Sequence, residues 1–420
     1  PSVSLGWRPT EESFMEFYKE KIGDLKLRAS YGILGSQAIG TYDRFTVYDV
    51  YDNSYAYNNK TVSGAGFKLG LENLTWEKTQ TFNIGVDASF LQNSLTVTFD
   101  YFHKRTNDIL MKPLISSVFG TEMPMANIGK MQNQGWDLSV NYRLKTGAFT
   151  HNFNFNLGDS WNKVLEFPGD EQITQVEELS RIIRVGVPLN SYYGYKMAGF
   201  FQSYDEIEAS AIPVGAKVQP GDIKFVDRND DGIIDSKDKF ILGNAFPRYT
   251  FGFTYGLNWK GIDFSMFWQG VGKRDMMLRG ELIEPYHANY SYTIYKHQLD
   301  FWTPTNTEAR WPRLAAPGSD SNRNNYGNGN GSDLFLLDGK YLRLKNLTIG
   351  YTLPKEWTKH LGMQKARLYI NGQNLLTFSN NSFIDPESSE FDSKMSTSGA
   401  NSGRSYPTLR YFGFGVDIEF

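Results

Sequence analysis

The chain has 420 residues, a formal net charge of −3 and no cysteine. That balance gives no reason to expect nucleic acid as a partner, and it excludes disulfide frameworks and cysteine-based zinc sites. No apolar run of about 18 residues occurs, which excludes a transmembrane helix but leaves transmembrane β-strands open, because their lumen-facing residues are polar.

Period-2 alternation predicts eleven strands, near residues 1–8, 25–34, 78–90, 94–107, 129–143, 147–160, 247–257, 261–271, 338–352, 366–378 and 408–420. Connection 9–24 holds a candidate short amphipathic helix, 11-EESFMEFYKEKIG-23. In the third strand Phe82, Ile84, Val86 and Ala88 alternate with Asn83, Gly85, Asp87 and Ser89. Segment 149-FTHNFNFNL-157 and the pair 249–259 and 262–269 repeat the pattern. Along 338–352 the phase changes, since Leu342 and Leu344 are even and Leu347, Ile349 and Tyr351 odd; a β-bulge near Lys345 reconciles the halves. The last segment, 411-YFGFGVDIEF-420, is the cleanest alternation of all.

Soluble sandwiches alternate too, but these strands run to roughly ten residues, which suits a tilted membrane span better than the usual five or six or so. Aromatic residues, 15 % of the chain, crowd the apolar faces towards strand ends, as headgroup-level girdles do. Connections alternate between short (91–94, 145–148, 258–261) and long (about 35–77, 108–128, 161–246 and 272–337). The reading is all-β: an antiparallel transmembrane β-barrel with 161–246 and 272–337 as long extracellular loops. Strand parity allows zero or two further strands inside 161–246, with 189-LNSYYGYKMAGFFQS-203 the candidate region.

Within that loop, 227-DRNDDGIIDSKD-238 has calcium-loop spacing. Asp227, Asn229, Asp231, Asp235 and Asp238 stand at positions 1, 3, 5, 9 and 12, with Gly232 for the turn and the Ile233 carbonyl at position 7. Oxygens so spaced converge on one hard cation, and a structural Ca2+ is expected. The alternative is an acidic surface turn without metal. Nothing suggests an enzyme: the five histidines show no H-x-x-x-H spacing, and no G-x-S-x-G or P-loop occurs. Loop aromatics Tyr192, Tyr193, Tyr195, Tyr286, Trp302 and Trp311, with Tyr290, Tyr292 and Tyr295 beside them, are candidates to stack on sugars or grip peptides; the alternative is that they pack the loops.

Several stretches carry a family resemblance: 71-LENLTWEKTQTFNIGVDASFLQNSLTVTFDYFHKRTNDIL-110, 186-GVPLNSYYGYKMAGFFQS-203, 221-GDIKFVDRNDDGIID-235, 338-DGKYLRLKNLTIGYTLP-354 and 370-INGQNLLTF-378. Together they resemble the SusC/RagA family of TonB-linked outer-membrane transporters. The resemblance implies a 22-stranded barrel with an N-terminal plug, of which residues 1–420 would be the C-terminal half without the plug. It implies a bacterial outer membrane of the Bacteroidetes type, a SusD-type surface lipoprotein as lid, coupling to the TonB complex through the N-terminal part, and an oligosaccharide or peptide cargo. Pro1 opens in mid-strand and half a barrel leaves two unpaired edges in lipid, so a fragment, or a chain completed by another, is expected. A passive porin or adhesion barrel, and a secreted calcium-stabilised carbohydrate-binding protein, are the competing readings.

Overall fold

The computed structural model describes residues 1–37, 40, 42–71, 73–113, 118, 123–169, 171–176, 179–287, 293–327, 329–360, 362–387, 400, 401 and 406–420. Eleven strands join in chain order into one antiparallel sheet. They are β1 (Ser2–Trp7), β2 (Leu25–Ser36), β3 (Glu77–Phe90), β4 (Leu95–Met111), β5 (Ala126–Thr146), β6 (Phe149–Glu166), β7 (Arg248–Trp259), β8 (Ile262–Lys273), β9 (Tyr341–Thr352), β10 (Lys365–Ser379) and β11 (Tyr411–Glu419). Every strand expected from alternation is present, and β6 pairs directly with β7, so among the described residues 167–247 contributes no strand to this sheet. Tyr192 and its neighbours instead lie on short strands, Ser191–Gly194 and Met197–Phe200, in small sheets of their own.

The predicted helix is shorter than its apolar pattern. Two 3-10 turns, Pro9–Glu11 and Ser13–Met15, precede a single α-helix, α1 (Glu16–Lys21). The predicted bulge is present: registers of β9 with both β8 and β10 shift at Lys345. Among the described residues no helix is long and apolar enough to cross a membrane.

One face of the sheet is apolar and open. Phe82, Ile84, Val86, Phe99, Ile349, Leu368, Ile370, Phe412 and Phe414 are all exposed, the reverse of a water-soluble core. Near the short turns Phe149 stacks on Trp259 at 5.3 Å, and Tyr142 on Phe153 at 6.1 Å, so the rim there carries an aromatic girdle. The opposite face is polar and cross-linked by charge. Arg28 on β2 donates to Asp87 on β3 (2.7 and 3.0 Å) and Asp100 on β4 (2.9 Å). Arg367 on β10 donates to Asp263 on β8 (2.7 and 2.8 Å) and Asp417 on β11 (2.9 Å).

Those reaches need a bare strand beneath the guanidinium. A Cβ on Gly85 would sit 2.4 Å from Asp100 Oδ1 and 2.7 Å from Arg28 Cζ. A Cβ on Gly350 would sit 2.5 Å from Asp263 Oδ1 and 2.6 Å from Arg367 Nε. Each glycine is the floor on which an arginine crosses a strand to reach its carboxylate.

Candidate functional site

At the rim opposite the short turns, the long connections fold into an assembly with a conventional buried interior. A four-stranded sheet combines Glu171–Val176, Leu179–Arg184, Ser191–Gly194 and Phe240–Gly243. One core gathers Leu179, Tyr192, Met277, Trp311, Tyr326 and Phe335. A second gathers Tyr195, Phe200, Ile223, Phe225, Ile234 and Trp302. Each core takes residues from both sides of β7 and β8, Leu179 to Leu337 in the first and Tyr195 to Ala309 in the second, so two connections far apart in sequence share their interior.

The loop aromatics are largely consumed by this packing. Tyr192 is fully buried, and burial pushes its hydroxyl pKa well above the usual tyrosine value. Tyr193 is buried under the Arg184 guanidinium, 5.5 Å from its ring. Tyr195 is buried against Phe225, with ring centroids 4.9 Å apart. Burial, then the charges of Asp238 and Asp235, push its pKa up to about 12. The Trp302 indole N–H donates to Gln202 (3.2 Å), and that of Trp311 to the His297 carbonyl (2.7 Å); both rings are buried. These five rings hold loops together and offer little surface to a ligand. Tyr286 is half-buried and Tyr295 is exposed, whereas Tyr290 and Tyr292 lie outside the described residues.

Two polar anchors escaped sequence reasoning because their partners are about a hundred and about forty residues away. The Asp222 carboxylate is fully buried and accepts from Ser321 Oγ (2.8 Å), Asn325 Nδ2 (3.1 Å) and the Gln219 N–H (2.8 Å). Burial pushes its pKa up despite those bonds. Arg343, buried on β9, donates to Asp385 (2.6 Å) and Glu387 (2.5 Å), and Lys345 donates to the same Glu387 (2.9 Å). Phe383 stacks on His297 at 3.9 Å. The 380–387 segment is thus pinned both to the barrel wall and to the loop assembly.

The calcium-type loop folds on itself. Asp227 accepts from the Gly232 N–H (2.8 Å), Asp231 from the Ile233 N–H (3.0 Å) and from the Asn229 amide (2.8 Å). Asp238 is fully buried and accepts from the N–H groups of Arg228 (2.9 Å) and Asp235 (2.8 Å). Gly232 takes φ +82°, as the turn requires. Among the described residues no group of three His, Cys, Asp or Glu side chains stands at metal-holding geometry. One observation fits a cation: Asp227 Oδ1 is buried with no hydrogen-bond partner. An all-oxygen donor set with a spare buried carboxylate oxygen suits a hard ion, although Lys237 lies 3.6 Å from Asp235 and 4.0 Å from Asp231.

Inside the sheet's polar face a cleft of about 430 Å³ is lined by Asp100, Asp137, Asn156, Phe267 and Gln269. Its walls mix carboxylates, amides and hydroxyls with two rings, Phe251 and Phe267, and the aliphatic Leu138, Leu157 and Val271.

Comparison with known proteins matches residues 1–375 to the family described as TonB dependent receptor-like, beta-barrel. TonB-dependent receptor P26 of Formosa agariphila is 33 % identical over 440 residues, covering 100 % of this chain and 42 % of the relative. TonB-dependent receptor SusC of Bacteroides thetaiotaomicron is 30 % identical, covering 100 % of this chain and 40 % of SusC. The RagAB peptide importer in its open-open state superposes with a TM-score of 0.77 at 22 % identity, over 100 % of this chain and 42 % of that one. The chain therefore spans about two-fifths of the length of the relatives it matches. With a polar inner wall, an apolar outer face and a matching family model over most of its length, the chain belongs to the TonB-dependent receptor β-barrels, is SusC/RagA-like, and is part of a bacterial outer-membrane barrel rather than of an enzyme.

Proposed function

We propose that this chain forms wall and outer loops of a TonB-dependent importer of oligosaccharides or peptides, working with a SusD-type surface lipoprotein as lid. The observation that carries the proposal is the combination of an exposed apolar outer face, a charge-linked polar inner face and a packed loop assembly at one rim only. In this reading the loop-bearing rim faces the cell exterior and the eleven strands belong to a 22-stranded barrel enclosing a plug. RagAB is a peptide importer, which supports the peptide option; the likeness to SusC and the polar lumen leave oligosaccharides as the other. The test is uptake of labelled oligosaccharides and labelled peptides by cells carrying or lacking the full-length gene, with and without a protonophore. Uptake that needs the gene and collapses with the proton gradient is expected. Gene-dependent uptake that ignores the protonophore points instead to a passive porin.

The loop 227–238 is proposed as a structural Ca2+ site, held by Asp227, Asn229, Asp231, Asp235 and Asp238 with the Ile233 carbonyl. The cation would supply charge balance for Asp227 Oδ1 and stiffen the turn. Replacing Asp227 and Asp231 with Ala is expected to speed proteolysis within 198–246 in calcium buffer, matching wild type in chelator. Identical wild-type cleavage with and without chelator would leave the loop an acidic turn.

A further inference from the structure

We propose that the lipid-facing side of β3, β4, β5 and β6, just above its apolar band, binds the headgroup of an anionic lipid in the leaflet at the loop-bearing rim. Strand pairing sets the side chains of this face in rows. Val86, Phe99, Leu138 and Leu157 form one row, apolar throughout. Towards the loops follow Ile84–Tyr101–Trp136–Asp159, then Phe82–His103–Gln134–Trp161, then Gln80–Arg105–Gln132–Lys163. Successive residues of a strand alternate between faces, so all four rows lie on the side where Phe82, Ile84, Val86 and Phe99 are exposed. That side passes from aliphatic to aromatic to amide and cation in three steps, the order of environments from hydrocarbon to headgroup.

The two cations of the last row are unmet. Arg105 and Lys163 are exposed, and among the described residues neither has a hydrogen-bond or ion-pair partner. Cations closer to the loops are already committed: Lys130 bonds Glu166 (2.7 Å), and Lys78 lies 3.5 Å from Asp108. Asp159, two rows in, is buried and bonded to Arg248. Two strand spacings put Arg105 and Lys163 about 10 Å apart at the backbone, with Gln132 between them. Side chains of that length reach one anion held over Gln132, the guanidinium contributing paired N–H groups and the ammonium a point charge.

Continuity with the apolar band selects a lipid over a free anion. A lipid seated there lays its chains on Phe82, Tyr101 and Trp136 while its phosphate meets Arg105 and Lys163. A soluble anion has only the second contact, at an open surface where salt screens it. That the leaflet is the outer one rests on the outward orientation of this rim, whereas the lipid site itself does not.

The test uses the delipidated full-length transporter in neutral detergent, titrated with micelles doped with phosphatidylglycerol or with phosphatidylcholine, bound lipid being counted by native mass spectrometry. Phosphatidylglycerol is expected to bind in preference, and glycerol phosphate, which lacks acyl chains, is expected not to displace it. R105Q/K163Q should weaken that binding roughly tenfold or more, and R105K/K163R should retain it. K104Q, the same charge change one residue away on the polar face, should leave it unchanged. Heat-modifiable migration on gels checks that each barrel is folded, and R105Q or K163Q alone, each changing an exposed residue, serves if the double variant does not assemble. Equal binding by wild type and R105Q/K163Q, an equal loss in K104Q, or no preference over phosphatidylcholine overturns the site. Displacement by glycerol phosphate at matching concentration overturns the lipid as its occupant.

Discussion

Arg28 and Arg367 each cross a glycine to reach carboxylates on neighbouring strands, so the missing side chain matters as much as the charge. Gly85→Ala would push a methyl group into the Arg28–Asp100 contact. A loss of roughly 1–3 kcal/mol is expected, the usual cost of overpacking, read as a lower heat-modifiability midpoint than for Gly256→Ala, where a Cβ would meet only ordinary contacts. At the rim, Asp385 shows how one carboxyl can hold a segment. Burial raises its pKa, but bonds from Arg343, Glu387 and Thr408 outweigh that and hold it down to about 2, below the ordinary 3.8. A depressed pKa contributes stability that is complete above about pH 4 and is lost as pH falls through 2. The gap corresponds to about 2 kcal/mol. Pepsin cleavage within 380–387 should therefore rise between pH 4 and pH 2 in wild type, and Asp385→Asn should remove that dependence. Neither arrangement was legible beforehand, because Arg28 and Asp100 become neighbours only through strand pairing, and Arg343 and Asp385 only through the fold-back of the segment after β10.

The strands themselves were legible. Where one face meets lipid and the other a polar lumen, the period of two is written into every segment, and even the phase change at Lys345 could be placed. The loop strands were not. Ser191–Gly194 and Met197–Phe200 are four residues each, the first buried on both faces, and both are too short to show a period. The same burial removed Tyr192 and Trp311 from the solvent, since aromatic residues in a long connection read alike whether they face a ligand or Phe335. The bulge gives the sharpest test of the element-scale account. Deleting Lys345 would join the two phases of β9 into one regular alternation, with Leu342, Leu344, Leu347 and Ile349 on one face and Arg343 still on the other, so the barrel is expected to assemble; deleting Lys345 and Asn346 together would turn Leu347 and Ile349 to the polar face and is expected to block assembly. Lys345→Gln keeps the spacing and should assemble, as heat-modifiable migration would report.

Across the whole molecule the two faces of the sheet obey opposite rules. An arginine at Ile84, exposed on the apolar face, should cost about 2–4 kcal/mol if it lies near the bilayer midplane. The same residue at Asn83, one position along and on the polar face, should be nearly neutral. Parallel refolding titrations into lipid vesicles would measure the difference, and equal costs would contradict the assignment of faces.

The loop assembly has a dry interior of its own, with Trp311, Phe335 and Met277 fully withdrawn from water, whereas the sheet below has its greasy residues turned outward. One polypeptide is therefore maintained by two different solvents. Urea competes for the first kind of burial and has almost no access to the second. Chaotrope should dissolve the crown while the staves still stand, and the bilayer, not the amino acids alone, decides which half survives.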